Sequence, residues 1–182
     1  SLEWHGEHMC LGNDSVKAEE LCILAARKGG GIVLPATFLG VLGMTGWAKH
    51  YGLSNDGIVN VEPELLKGII TQQLRALDRM GFKGAIVITG HYPEEQVVLA
   101  RETAKAFKPE HGLKAVGITD RDLARSVGHT GDHAGKWETS ILWALRPELL
   151  DVTRLSLDPN IPLEGVYGEH PRLTASPELG WK

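Results

Sequence analysis

Cysteine is scarce in this chain, with only Cys10 and Cys22 among 182 residues. That excludes a disulfide framework, and the spacing of the pair does not match a thiolate metal site. No run of basic residues occurs, and 19 Lys and Arg against 23 Asp and Glu leave a net charge of −4. Such a balance argues against a nucleic-acid-binding surface. No apolar run is long enough to cross a membrane. The first residues, Ser1-Leu2-Glu3-Trp4-His5, do not read as a signal peptide. Internal repeats, low-complexity segments and a dividing linker are also lacking, so one domain over 1–182 is expected. What remains is ordinary for a globular chain: 42% hydrophobic and 23% charged residues. This length can bury a sizeable core without disulfides. A reducing, cytoplasmic setting follows as the expectation.

Apolar spacing and breakers outline the elements. A helix is expected over roughly 15–28, capped by Asp14 or Ser15, with Val16, Leu21, Ile23, Leu24 and Ala25 on its apolar face. Gly29-Gly30-Gly31 ends it; the triplet follows a helix and not a strand, so a C-cap is favoured over a phosphate loop. Residues 32–39 read as a buried strand interrupted by Pro35. Residues 40–60 form a long glycine-rich stretch in which Trp47 and Tyr51 point to a lid or an oligomer contact.

Pro63 opens the clearest helix, to about Met80, with Leu66, Ile70 and Leu74 at helical spacing. Lys83 to Thr89 reads as a central parallel strand, apolar on both faces. A helix over 94–107, a strand over 114–119 and a helix over 136–145 follow, and the tail beyond 156 is mostly irregular. Strands alternating with helices predict an α/β sandwich with a mostly parallel sheet.

Glu3 and His5 lie two residues apart, which on a strand puts a carboxylate and an imidazole on one face. Asp14 follows after a short glycine-containing loop and is suited to bridge two cations. The alternative is a surface ion cluster with Asp14 as a helix cap. His91 sits just past a buried strand, where open α/β sheets bind ligands. Asp132-His133-Ala134-Gly135 brings a histidine among small residues, which permits close approach by a substrate. Glu138 opens a helix and either reaches a metal or caps that helix. Gly135-Lys136 is not a phosphate loop, because Trp137 stands where Ser or Thr is required. His8 is expected to orient a ligand or to be one itself, and His50, His111, His129 and His170 to face solvent. Trp4, Trp47 and Trp137 either wall a pocket or pack in the core.

Glu3-Trp4-His5-Gly6-Glu7-His8 with Leu11-Gly12-Asn13-Asp14 resembles the E-x-H-G-x-H-x-x-x-G-x-D signature of the creatininase (creatinine amidohydrolase) family. Thr89-Gly90-His91-Tyr92 is similar to its strand-end motif. Asp132-His133-Ala134-Gly135 with Glu138-Thr139-Ser140 is similar to its H-A-G-x-x-E-T-S segment. The resemblance extends over nearly the whole chain.

It implies a three-layer α/β/α sandwich and a site for one or two divalent ions. Glu3, Asp14 and His91 would hold one; His5 and Asp14 would share the second. Creatininase itself supplies a further glutamate two residues after the motif histidine. Pro93 stands there in this chain, so Glu138 is expected to substitute, ahead of Glu94 or Glu95. Family members also carry a preceding strand that this chain is expected to lack. The implied activity is hydrolysis of a non-peptide C–N amide bond, cyclic or linear, with a metal-bound water as nucleophile and His133 as proton shuttle. Tyr92, Trp137 and Asp132 are the expected substrate contacts, with Asp132 also placed to orient His133. The mixed ligands suit Zn, Mn or Fe(II). A small-molecule amide is the expected partner, and a homo-oligomer the expected assembly. The rival readings are a non-catalytic or degenerate metal-binding member of the fold, and an interaction module assembled through the 40–60 loop.

Overall fold

The computed structural model describes residues 1–41, 60–158 and 160–182. Most of the 40–60 stretch, with Trp47, His50 and Tyr51, therefore lies outside the described residues.

Helix α1 (Asn13–Gly29) starts two residues earlier than its spacing suggests. Gly12 precedes it with no side-chain cap. The expected Asp14 cap is thus a correction: the Asp14 carboxylate turns toward His5 and His91 instead. At the other end Gly30 closes the helix at φ 78°, and its N–H reaches the Ala26 carbonyl.

The 32–39 run is not a strand, which overturns that expectation. Ile32 is 71% exposed and Phe38 53%. β-branched residues favour a strand only where a ladder partner exists. Here the Phe38 carbonyl accepts from Leu2 N–H and the Thr37 carbonyl from the Ser15 hydroxyl, with no regular pairing.

Two parallel pairs follow. Strand β1 (Gly40–Val41) pairs with β2 (Asn60–Val61). Strand β3 (Gly84–Thr89) pairs in full register with β4 (Lys114–Thr119). Helix α2 (Pro63–Arg79) begins on proline, whose missing N–H costs nothing at a helix start. Its Leu66, Ile70 and Leu74 repeat every four residues and form a core with Val41 and Leu113. Asp78 ends that stripe and accepts N–H bonds from Glu110, His111 and Leu113, tying α2 to the turn before β4. Helix α3 (Glu94–Ala106) crosses between β3 and β4, as parallel strands require. β3 is not buried on both faces: Ile86, paired in register with Val116, is 64% exposed.

A short helix, α4 (Asp120–Leu123), continues directly from β4 behind a Thr119–Asp122 capping box. Helix α5 (Lys136–Leu145) packs its Leu142 on Met9, Ala134 and Val166 in a second core. Two four-residue helices, α6 (Pro171–Thr174) and α7 (Pro177–Gly180), lie against α5. Among the described residues no helix is long and apolar enough to cross a membrane.

Gly117 lets α3 lie on β4: a Cβ there would sit 2.6 Å from the Ala100 carbonyl oxygen. Gly117→Ala should lower unfolding stability by about 1–3 kcal/mol, read as a shifted urea midpoint at constant slope. An unchanged midpoint would mean that the helix can ride outward at no cost.

Candidate functional site

Five chain segments meet at one end of the parallel β3–β4 pair. The N-terminal segment brings Glu3 and His5. The start of α1 brings Asp14 and, one turn on, Lys17. The ends of β3 and β4 bring His91 and Asp120. The start of α5 brings Glu138. All seven are buried, none more than 4% exposed. Ligands of open α/β sheets bind beyond the carboxyl ends of the strands, where His91 and Asp120 sit.

Gly90 makes the meeting possible. A Cβ on it would lie 2.5 Å from the Asp14 carbonyl oxygen. Only glycine lets the end of β3 come this close to α1, which sets His91 beside Asp14. At the start of α5, Asp132 accepts the N–H groups of Trp137 at 2.7 Å and Glu138 at 3.1 Å. It therefore holds the helix end that carries Glu138. Burial and the nearby Glu138 charge push the Asp132 carboxyl up to about 7.

Asp14 stands between two groups of ligand atoms. Its Oδ1 lies 3.1 Å from His5 Nε2, which is 3.3 Å from Glu138 Oε2. Its Oδ2 lies 3.2 Å from His91 Nδ1, which is 2.9 Å from Glu3 Oε2. The Ser1 hydroxyl donates to the same Oδ2 at 2.6 Å. Within each of the sets Glu3–Asp14–His91, His5–Asp14–Glu138 and Glu3–His5–His133, the ligand atoms lie within 4.8 Å of one another.

The donor set fits a divalent cation. Carboxylate and imidazole are its usual ligands. His5 Nε2 and Asp14 Oδ1 are buried without a hydrogen-bond partner. His5 Nδ1 lies 3.0 Å from the Glu3 carbonyl oxygen, which can only accept, so Nδ1 carries the proton and Nε2 faces the carboxylates. Burial would lower the His5 pKa, but the Asp14 and Glu138 charges hold it well above the usual imidazole range. Burial likewise opposes the charged form of His91, yet its bonds to Asp14 and Glu3 bring its pKa up to about 9. These shifts describe protons doing what a cation would do.

His133 borders the cluster. Its ring stacks on His5 with centroids 4.2 Å apart, and its Nε2 donates to the Trp4 carbonyl at 2.9 Å. Burial lowers its pKa, which favours the neutral ring. His8 is also buried, with Nε2 2.9 Å from the Thr139 hydroxyl. Glu94 and Glu95 are exposed in the first turn of α3, so of the three glutamates weighed for the Pro93 gap only Glu138 reaches His5.

Sequence reasoning missed three residues. Lys17 is fully buried and reaches Glu138 Oε1 at 2.6 Å, the Tyr92 hydroxyl at 2.8 Å and Asp120 Oδ2 at 3.0 Å. Its position one helical turn after Asp14 was the available signal. Asp120 was visible as a residue just past a strand, like His91. His129, expected to face solvent, is buried and stacks on Trp137 at 5.1 Å, with Tyr92 edge-on at 6.2 Å. Three rings thus line one side of the site.

Comparison with known proteins gives a consistent result. The family model described as "Creatininase: Creatinine amidohydrolase" matches residues 1–177. The creatinine amidohydrolase of Pseudomonas putida is 25% identical over 97% of this chain and 74% of its own length. A crystal structure of creatinine amidohydrolase (creatininase) superposes with a TM-score of 0.73 at 26% identity, over 100% of this chain and 80% of that one. A manganese creatininase superposes with a TM-score of 0.69 at 24% identity, over 100% and 81%.

The pKa shifts set a pH dependence for protein stripped of divalent ions. The folded His91 pKa of about 9 exceeds its ordinary 6.5. Its contribution to stability is therefore complete below about pH 6.5 and lost as pH rises through about 9. His5 acts in the same direction, and Asp132 adds to the decline as pH rises through about 7. Asp14, held well below its ordinary 3.8, contributes above that value and loses its contribution as pH falls through its lower folded value. The thermal midpoint should be highest at about pH 4–6 and fall toward pH 9–10. His91→Gln should flatten the alkaline fall; equal midpoints at the two ends would contradict the assignment.

Proposed function

The chain belongs to the creatininase family, and on that basis we propose that it is a divalent-metal-dependent amidohydrolase that cleaves a non-peptide C–N amide bond. The observation that carries this reading is the bridging position of Asp14, with one oxygen toward His5 and Glu138 and the other toward Glu3 and His91. Those five side chains would hold one or two ions; Zn, Mn and Fe(II) all suit them. An ion so held supplies an acidified water and polarises the carbonyl of the scissile bond.

The chain's own groups do the rest. The Nε2–H bond to the Trp4 carbonyl holds the His133 ring beside the ligand cluster, where the ring would take a proton and pass it to the leaving nitrogen. The lowered His133 pKa suits a ring that starts neutral. Tyr92, His129 and Trp137 offer flat faces against which a small planar amide can lie. Asp132 contributes by fixing the N-terminus of α5, and with it Glu138. Burial of the ligands keeps bulk water from competing with the substrate.

Chelator-treated protein should lose hydrolysis of a panel of cyclic and formyl amides and regain it with Zn or Mn. His133→Ala should keep its ion and slow the chemical step by roughly 10²–10⁴-fold. Elemental analysis beside the assay separates the readings. Bound ion without turnover of any amide would favour a non-catalytic member of the family, and protein indifferent to Zn and Mn would end the metal reading. An undiminished rate in His133→Ala would remove its role as shuttle.

A homo-oligomer in a reducing cytoplasm completes the proposal. The exposed Ile86–Val116 pair and Phe38 support assembly, and the free thiols of Cys10 and Cys22 support the compartment. Light scattering of the purified chain should give a multiple of its 19.8 kDa mass; a monomer would contradict assembly.

A further inference from the structure

Lys17 is a buried cation beside one of the two proposed ion positions, 2.6 Å from Glu138 Oε1. Its ammonium has three N–H donors and three close acceptors: Glu138 Oε1, the Tyr92 hydroxyl and Asp120 Oδ2. The side chain is 0% exposed. With its donors committed and no access to solvent, it is placed neither to bind a substrate nor to be solvated. Its effect falls on Glu138. One oxygen of that carboxylate belongs to Lys17, and only Oε2 faces His5. Oε2 also accepts the Ala134 N–H at 2.9 Å. Among the described residues no lysine or arginine pairs with Glu3 or His91, and the Ser1 ammonium lies farther off, 3.7 Å from the shared Asp14 Oδ2. The two ion positions that share Asp14 therefore differ in how closely a cation approaches them and in the carboxylate oxygens left to an ion.

We propose that Lys17 is an internal cation that weakens divalent-ion binding at His5–Asp14–Glu138, so that Glu3–Asp14–His91 fills first and the chain holds only one ion tightly. The inference rests on the metal reading above. Two physical effects act together. The ammonium repels a second positive charge a few ångströms away in a poorly screened interior. It also denies the ion a two-oxygen grip on Glu138 and draws electron density from the oxygen that remains. A purely structural role, in which Lys17 merely pairs Asp120, predicts no difference between the two positions.

Calorimetric titration of Mn²⁺ into chelator-stripped protein tests this. The unaltered chain should show one tight ion and a second bound at least roughly 10-fold more weakly. Lys17→Met should tighten the second ion by roughly 10-fold or more and change the first less. The double variant Lys17→Met with Asp120→Asn removes both charges of that pair and should keep the gain. Lys17→Arg retains the charge and should keep the original pattern. If the single variant fails to fold by circular dichroism, the charge-balanced double variant carries the test. An unchanged or weaker second ion overturns the proposal. So does a gain seen in the single variant alone, since the unpaired Asp120 would then be its source. Protein that binds no Mn²⁺ at all overturns the metal reading itself; ions bound alike in every variant overturn only the role of Lys17.

Discussion

Buried negative charge is the constraint around which this structure is arranged. Glu3, Asp14, Asp120 and Glu138 are each at most 4% exposed. An unpaired carboxylate in such surroundings costs several kcal/mol. The chain offsets that cost in three ways. His5, His91 and Lys17 lie at hydrogen-bond or ion-pair distance. Asp14 and Glu138 occupy the first turns of α1 and α5, where the helix dipole favours an anion. Backbone and hydroxyl groups, such as Ala134 N–H and Ser1 Oγ, take further oxygens. The result is a cluster that is paired without being saturated, since His5 Nε2 and Asp14 Oδ1 still lack hydrogen bonds.

The scaffold serves that cluster through close approaches. Gly90 brings the end of β3 against the first turn of α1, and Gly117 seats α3 on β4. Asp132 pins the start of α5. Ala134 adopts φ 52°, an uncommon conformation for a residue with a Cβ, and its N–H binds Glu138. Strain of this kind is maintained where the surroundings over-determine it, which is the case beside a buried carboxylate. One core takes in Val87 of β3 and Leu99 of α3, the other Ala134 and Val16 of α1.

Sequence and structure agree best where the code is local. The four-residue stripe of α2, the glycine end of α1 and the boundaries of β4 and α5 were legible because period and breakers act within a few residues. The 32–39 run misled because β-branched apolar residues signal a capacity to pair and not a partner. Asp14 misled as a cap for a related reason: its carboxylate had a stronger pull from two imidazoles than from its own backbone N–H groups.

The chain's sequence alone determined its α/β class, the family resemblance and the short list of carboxylates and imidazoles at 3–14, 91 and 132–138. These follow from motif order and from residue types whose chemistry is intrinsic. The tertiary structure alone decided which atoms meet. Glu138 is drawn to Lys17 across 121 positions of sequence. His129 joins Tyr92 and Trp137, and Asp132 binds the backbone N–H groups that open α5. Local spacing has no term for such pairings. They are set by where α1, β4 and α5 cross, and by the need of each buried charge to find the opposite charge that packing brings within reach.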